Sequence, residues 1–361
     1  MKPTRISHLT AHLFCLTTCV LLLNTTYAQT IRRVNNNLGV TGVNVYATAQ
    51  AAHDAAAAND IMIIEPSVTS YGDLYVDKPL KIYGNGYYLD TNTELKVDRR
   101  SSTMGYIIFS TGSDGSILSG VELIGRINNF GDDRGVSIYG VSNIKIERCR
   151  IQYTLSISNR NWENDFSTNV SNITINGNYL SQPGTIEAKK WLVSGFTISS
   201  VFVNNNILTG IDAGSSPEIQ NWIVRNNVFT SSQAVLSNSI FENNIFTQSA
   251  GVTFSNTTFS YNFAPGNTFT GGVGNQNNYN VLAQLIGAGT GISDDEAYQI
   301  KAGSPLKTAG SGGTEVGAYG GPTPYVVSGI PAIPSIVNMN NTATGSNTVP
   351  LSVTISVKSN N

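Results

Sequence analysis

The feature that most constrains this chain is a nine-residue segment that recurs with asparagine at its seventh place. The copies are Asn143–Ile151, Asn172–Leu180, Ser200–Leu208, Asn221–Phe229, Asn238–Phe246 and Asn256–Ala264. The seventh place holds Cys149, Asn178, Asn206, Asn227, Asn244 and Asn262, at successive spacings of 29, 28, 21, 17 and 18 residues. Gly120 and Asn85 read as the same place in two earlier repeats. Turn-rich repeats of about twenty residues predict a solenoid of short strands, because one repeat cannot bury its apolar face alone and must stack on the next. The second and fourth places are apolar (Ile144/Ile146, Ile173/Ile175, Val201/Val203, Trp222/Val224), with looser copies at Ser239 and Thr257. Alternation of period two points these side chains inward and sends Lys145 and Glu147 outward.

The asparagines have a mechanical reading. From 128 to 280 there are 26 Asn in 153 residues. A sharp bend favours a residue that tolerates left-handed backbone, and Asn does so. Its amide also donates to one neighbouring repeat and accepts from the other, so a buried column satisfies itself. Cys149 fits the same place as a small, inert, buried side chain.

The N-terminus reads as a signal peptide over 1–28. Lys2 and Arg5 precede the apolar run Leu13–Leu23, and Thr26-Tyr27-Ala28 offers small residues ahead of Gln29. A lipoprotein reading would use Leu16-Thr17-Thr18-Cys19, but that cysteine lies inside the apolar run. The expectation is a secreted or cell-surface protein, monomeric, with no transmembrane segment in the mature chain. Removal of Cys15 and Cys19 leaves Cys149 alone, so no intrachain disulfide and no cysteine metal site is expected. Charged residues are 12% of the chain and the net charge is −2, which argues against nucleic acid as a partner.

Residues 47–60 are Ala-rich and predict a short N-terminal capping helix stopped by Asn59-Asp60. Ile61-Met62-Ile63-Ile64 and Leu80–Tyr83 read as strands. The Asn-column repeats span about 80–264 of a domain covering 29–321. After Gly321, Pro322, Pro324, Pro331 and Pro334 punctuate an extended C-terminal tail, 322–361, in which Leu351–Val357 alternates like a lone strand.

The Ala-rich helix leading into Ile61–Ile64, followed by Asn-column repeats, resembles the pectate-lyase-like right-handed parallel β-helix superfamily. Tyr298–Leu306 and Glu315–Gly321 resemble the closing segment of its bacterial members. The resemblance covers about 45–321 and implies an all-β, right-handed parallel β-helix. It is specific for architecture, since that superfamily holds lyases, hydrolases, epimerases and non-catalytic surface proteins.

Chemistry has few places to sit. His8 and His12 belong to the leader, and His53 lies on the capping helix, so no Ser-His or Cys-His arrangement can be built. Gly131-Asp132-Asp133 resembles the Asp pair of galacturonan hydrolases, but their Gly-His-Gly and Arg-Ile-Lys elements are missing. Charge concentrates at Lys145, Glu147, Arg148 and Arg150, at Arg160, Trp162, Glu163 and Asp165, and at Glu187, Lys189, Lys190 and Trp191. The two widest repeat spacings bracket this region, so loops protrude beside it, where sites are commonly built. Two readings stand. In the first, the protein is a lyase for an acidic polysaccharide. Arg150, Arg160 or Lys189 is its base, Glu163 and Asp165 hold Ca²⁺ or substrate, and Trp162 and Trp191 stack on sugar. In the second it is a non-catalytic surface or glycan-binding protein, and the charges form solvated loops and ion pairs.

Overall fold

A computed structural model describes residues 29–360, apart from 126–133, 160–165, 182–183, 189–193, 215, 343 and 347. The described chain is nearly all β, and its main sheets are parallel. In the first sheet, strands from successive repeats pair in chain order: Ile31–Val34, Ile61–Ile64, Lys81–Tyr83, Ile117–Ser119, Lys145–Glu147, Val170–Asn176, Ile198–Asn204, Ile223–Arg225, Ile240–Glu242 and Thr258–Ser260. The second sheet has two rows. One joins Thr103–Met104, Glu122–Leu123, Arg150–Gln152 and Tyr179–Ser181; the other joins Leu74–Val76, Ile107–Phe109, Arg134–Tyr139, Thr154–Ser158 and Thr185–Glu187. The rows merge where Ile207–Asp212 and Val228–Ser237 run through both.

Register follows from the apolar alternation. Met62, Ile82, Leu118, Ile146, Ile175, Val203, Val224, Phe241 and Phe259 face one another across neighbouring strands, and all but the last are fully buried. Each such aliphatic side chain contributes about 1.5–3 kcal/mol of transfer free energy. Where the repeats shorten to 17 and 18 residues, aromatic rings fill the interior. Phe229 stacks on Phe246 at 4.6 Å, and Phe241 lies 5.0 Å from Phe254.

The amide column closes its own hydrogen bonds. The backbone N–H and Nδ2 of Asn178, Asn206, Asn227, Asn244 and Asn262 each donate to Oδ1 of the next column residue at 2.9–3.1 Å. The second Nδ2 hydrogen goes back to a carbonyl of the preceding repeat, from Ile146, Ile175, Val203, Val224 and Phe241 in turn. Asn275, absent from the repeat alignment, extends the column by one step. Cys149 ends it: its N–H donates to Asn178 Oδ1, and burial pushes its thiol up to about 12.

Two details of the sequence reading change. Cys149 is two residues past Glu147, which pairs with Ser119, so Val121 and not Gly120 occupies the column place one repeat earlier. Asn85 lies off the column. Its Nδ2 donates to the carbonyls of Asp98 and Arg100, because the chain leaves the ladder there as a long insertion and Ser102 re-enters. The left-handed backbone also falls one residue before the column, at Gly120, Arg148, Gly177, Asn205, Asn226, Asn243 and Tyr261.

That sixth place has a second use. Asn205 Nδ2 donates to the carbonyls of Ala318 and Gly320, Asn226 Nδ2 to Glu315, and Asn243 Oδ1 accepts from Ser311. Arg148 holds the carbonyls of Ile330 and Asn360, and Gly120 lies against the Pro331 ring, where a Cβ would come within 2.8 Å of it. Residues 311–331 therefore run back along the outside of the ladder, from late repeats to early ones. A second apolar cluster seals them on, with Ile207, Val228 and Ile245 under Val281, Leu285, Ile300, Leu306 and Val316.

The helix is Ala49–Ala55, shorter than 47–60. Thr48 caps it by accepting from Ala51 N, and the extended Ala56 ends it. It buries Ala49, Ala52 and His53 against the first strands. Leu351–Val357 is not a lone strand, because Val353–Lys358 pairs antiparallel with Ser335–Asn341.

Asn206→Ala leaves two donors of Asn178 unpaired inside the protein and removes the side-chain bond to the Ile175 carbonyl. At about 1–3 kcal/mol for each buried group, the expected loss is about 3 kcal/mol or more. Asn275→Ala, at the half-buried end, costs about 1 kcal/mol. Urea midpoints of the two variants check this, and equal midpoints would remove the column from the stability argument.

Candidate functional site

Of the proposed site residues, Arg160, Trp162, Glu163, Asp165, Lys189 and Trp191 lie outside the described residues, as does Gly131-Asp132-Asp133. The strands that flank them are described. Thr154–Ser158 pairs with Thr185–Glu187, with Ser156 opposite Glu187, so segments 160–165 and 189–193 follow neighbouring strands of the second sheet. Ala188 N donates to the Asp212 carbonyl on the next strand.

Arg150 is described, and its surroundings do not suit a base. It pairs with Glu122 on the adjacent strand and lies 4.8 Å from the Tyr88 ring centroid. Tyr88 meets Tyr179 edge-on at 6.0 Å and donates to Asp294 Oδ2 at 3.1 Å. Burial works against the Arg150 charge, but Tyr88 and Glu122 more than offset it and hold the guanidinium above its ordinary value. A guanidinium held charged between its own carboxylate partner and a ring is set to bind and orient.

The charge run 145–150 does not converge either. Lys145 pairs with Glu147 at 2.6 Å on the first sheet, Arg148 grips the C-terminal segment, and Arg150 serves the second sheet. Glu147 points outward but is buried.

What does converge is a row on the outer side of the second sheet: Tyr75, Ile108, Ser137, Ser156, Glu187, Asp212, Val235 and Thr253, in register on eight consecutive strands. Their strand neighbours point into the core, including Leu74, Phe109, Ile138, Leu155, Ile186, Ile211 and Ala234. One end of the row is aromatic. Tyr75 touches Tyr106 hydroxyl to hydroxyl, and Tyr139 stacks on Phe166 at 6.4 Å. The middle places the Glu187 and Asp212 carboxylates on adjacent strands, whose backbones lie about 4.8 Å apart. Asp212 accepts from Gly214 N and Gln233 Nε2, both at 3.2 Å. Two carboxylates so placed can share an acid–base task or contribute ligands to a hard cation. Among the described residues no group of three or more Asp, Glu, His or Cys gathers for a metal.

The corner leading into the first sheet carries exposed amides. Asn172 donates to Asn143 and Asn256 to Asn238, each at 2.7 Å. A shallow groove of about 520 Å³ follows this corner past Gln220, Asn221, Ile223, Asn238, Ile240 and Asn256.

Sequence reasoning missed Glu187 and Asp212 as partners, since 25 residues separate them and only strand register brings them together. It also missed Lys96, a buried amine that donates to Asn85 Oδ1 at 2.9 Å and is lowered by burial to about 8. Nothing in Leu95-Lys96-Val97 marks it.

No protein-family model matches this chain, and no curated protein matches it.

Lys96 gives a pH signature. Its folded value of about 8 lies below the ordinary 10.5, so between those values the unfolded chain binds more protons and stability rises with pH. The penalty is full below about pH 8. The melting temperature of the natural chain relative to Lys96→Met is expected to climb by a few degrees from pH 7 to pH 10. A flat difference in differential scanning fluorimetry would reject this.

Proposed function

We propose that the chain is an exported protein of the pectate-lyase-like right-handed parallel β-helix type, which binds carbohydrate along the outer row of its second sheet. The observation that carries this reading is the register that sets the Tyr75 ring and the Glu187–Asp212 pair on one row, next to the strand ends that lead into 160–165 and 189–193. Sugars are bound by ring stacking together with polar groups that orient hydroxyls, and the row carries one half-exposed ring, Tyr75, with the Glu187 and Asp212 carboxylates. The Asn column and the early helix support the architecture, and the residue pattern of the N-terminus supports export. Among the described residues no helix is long and apolar enough to cross a membrane.

A second reading, cleavage of an acidic polysaccharide, draws on one further fact. Lys189 stands two residues after Glu187 in the chain, so a candidate base follows directly from the carboxylate pair. In that reading Arg160 or Lys189 takes the proton. Glu163, Asp165 and the Glu187–Asp212 pair would hold Ca²⁺, whose charge steadies the enolate. Trp162 and Trp191 would stack on the sugar.

Glycan-array binding by the natural chain, lost at least tenfold on Glu187→Gln with Asp212→Asn, is the expected result. Binding unchanged in that variant would move the site elsewhere. Incubation with uronate polymers, with and without Ca²⁺, separates the two readings. Ultraviolet-absorbing unsaturated ends that vanish on Lys189→Ala or Arg160→Ala would establish the lyase, and no absorbance change across a broad panel would leave binding alone.

A further inference from the structure

The C-terminal hairpin has one polar face and one apolar face. In the pairing of Ser335–Asn341 with Val353–Lys358, Ile336 lies opposite Val357, Met339 opposite Ile355, and Asn341 opposite Val353. The alternate pairs are Ser335 with Lys358, Asn338 with Ser356, and Asn340 with Thr354. Side chains of directly opposed residues share a face, and the irregularity between Ile336 and Asn338 keeps Ile336 beside Val357. One side is thus Ser, Asn, Thr and Lys, and the other is Ile, Met and Val with Asn341 at its far end.

The apolar side is open. Ile336, Met339, Val353, Ile355 and Val357, with Val349 and Leu351 leading into the second strand, are between 45% and 62% exposed. Together they expose roughly 700 Å² on one short hairpin, against roughly 300–600 Å² for the largest apolar patch on an ordinary monomer. The hairpin is a sheet of two strands by itself, and a two-stranded sheet is marginal in water unless a further strand or layer packs on it. Its base is fixed to the body, through Val97 N to the Ile336 carbonyl and Arg148 to the Asn360 carbonyl. The blades of the hairpin have no such partner among the described residues.

We propose that this face joins two copies of the chain, hairpin on hairpin, about a twofold axis. The partner must bring an apolar β surface of the same extent without charge, because residues 335–357 contain no charged side chain. A second copy supplies that surface, and its cross-strand pairs (Ile336–Val357 and Met339–Ile355) are self-complementary, as a twofold contact requires. Two such faces would bury roughly 1,400 Å², within the range of stable specific interfaces. A lipid surface fits less well, since interfacial elements carry Lys and Arg along the apolar edge and only Lys358 is present here.

Sedimentation of the full chain from about 1 to 100 µM is the test. A concentration-dependent dimer is expected, with a dissociation constant at least tenfold weaker in Ile355→Asn with Val357→Asn. Melting of the body should be unchanged, since these residues lie outside the core. Met339→Cys provides a second arm, because under mild oxidation it should form a disulfide-linked dimer that the unsubstituted chain does not. A monomer at every concentration, a dimer untouched by the double substitution, or a monomer that partitions into phosphatidylcholine vesicles through this face would each overturn the proposal.

Discussion

The structure rests on the amide column. Parallel strands at 4.8 Å spacing leave a bend in every repeat where backbone groups turn inward, away from water, and each must find a partner. An asparagine there uses both amide hydrogens and both oxygen lone pairs, one set toward each neighbouring repeat, so one residue type solves the problem however many repeats follow. The column also fixes register. A one-residue slip would put the sixth-place side chains into the interior and turn Ile146, Ile175 and Val203 outward. Cys149 and Asn275 show how such a column ends. At one end Cys149 donates its backbone N–H to Asn178 while its Sγ faces the carbonyls of Leu118 and Glu147; at the other, an amide turns to the carbonyls of Phe259 and Gly271 at the edge.

Adjacent asparagines do unlike work. In Asn205-Asn206, Asn226-Asn227 and Asn243-Asn244 the second faces in and joins repeats. The first holds a left-handed backbone and reaches out to the returning segment 311–320. The sequence displays both as a single polar signal. The pattern shows the bend and the column, but the outward grip depends on a partner 68 to 115 residues away, and nothing local encodes it. The same limit explains Asn85, whose place in the repeat is right for the column while the insertion 86–101 draws its amide elsewhere.

What was legible was therefore whatever repeats. Strand positions, inward places and the column from Cys149 to Asn262 follow from periodicity, because each copy restates the same physical demand. The site does not repeat. Lys145, Arg148 and Arg150 look like a cluster in sequence, yet a strand, a bend and a second strand send them to three different surfaces. Glu187 and Asp212, unremarkable and far apart in sequence, become neighbours through register. Lys96 acquires its depressed value from burial under an insertion whose packing no short motif describes.

Coverage then narrows where function can sit. The sixth-place corner lies under residues 311–331. The outer row from Tyr179 through Ile207, Val228 and Ile245 lies beneath the second apolar cluster. Two outward-facing sets of side chains remain, although Ile108, Ser137 and Asp212 of the second are themselves buried. The first sheet presents two outward rows, Lys145, Thr174, Phe202, Ile223, Ile240 and Thr258, and beside them Glu147, Asn176, Asn204, Arg225, Glu242 and Ser260. The second sheet presents Glu187 and Asp212, with the two longest repeats departing beside them. In a chain with only 12% charged residues, a carboxylate set opposite another in a strand ladder is electrostatically unfavourable unless something positive faces it. Asp212 offsets part of that cost through Gly214 N and Gln233 Nε2, whereas the charges on the first sheet are matched by sign, Lys145 with Glu147 and Arg225 with Glu242, so a like-charge pair across adjacent strands sets the second sheet apart.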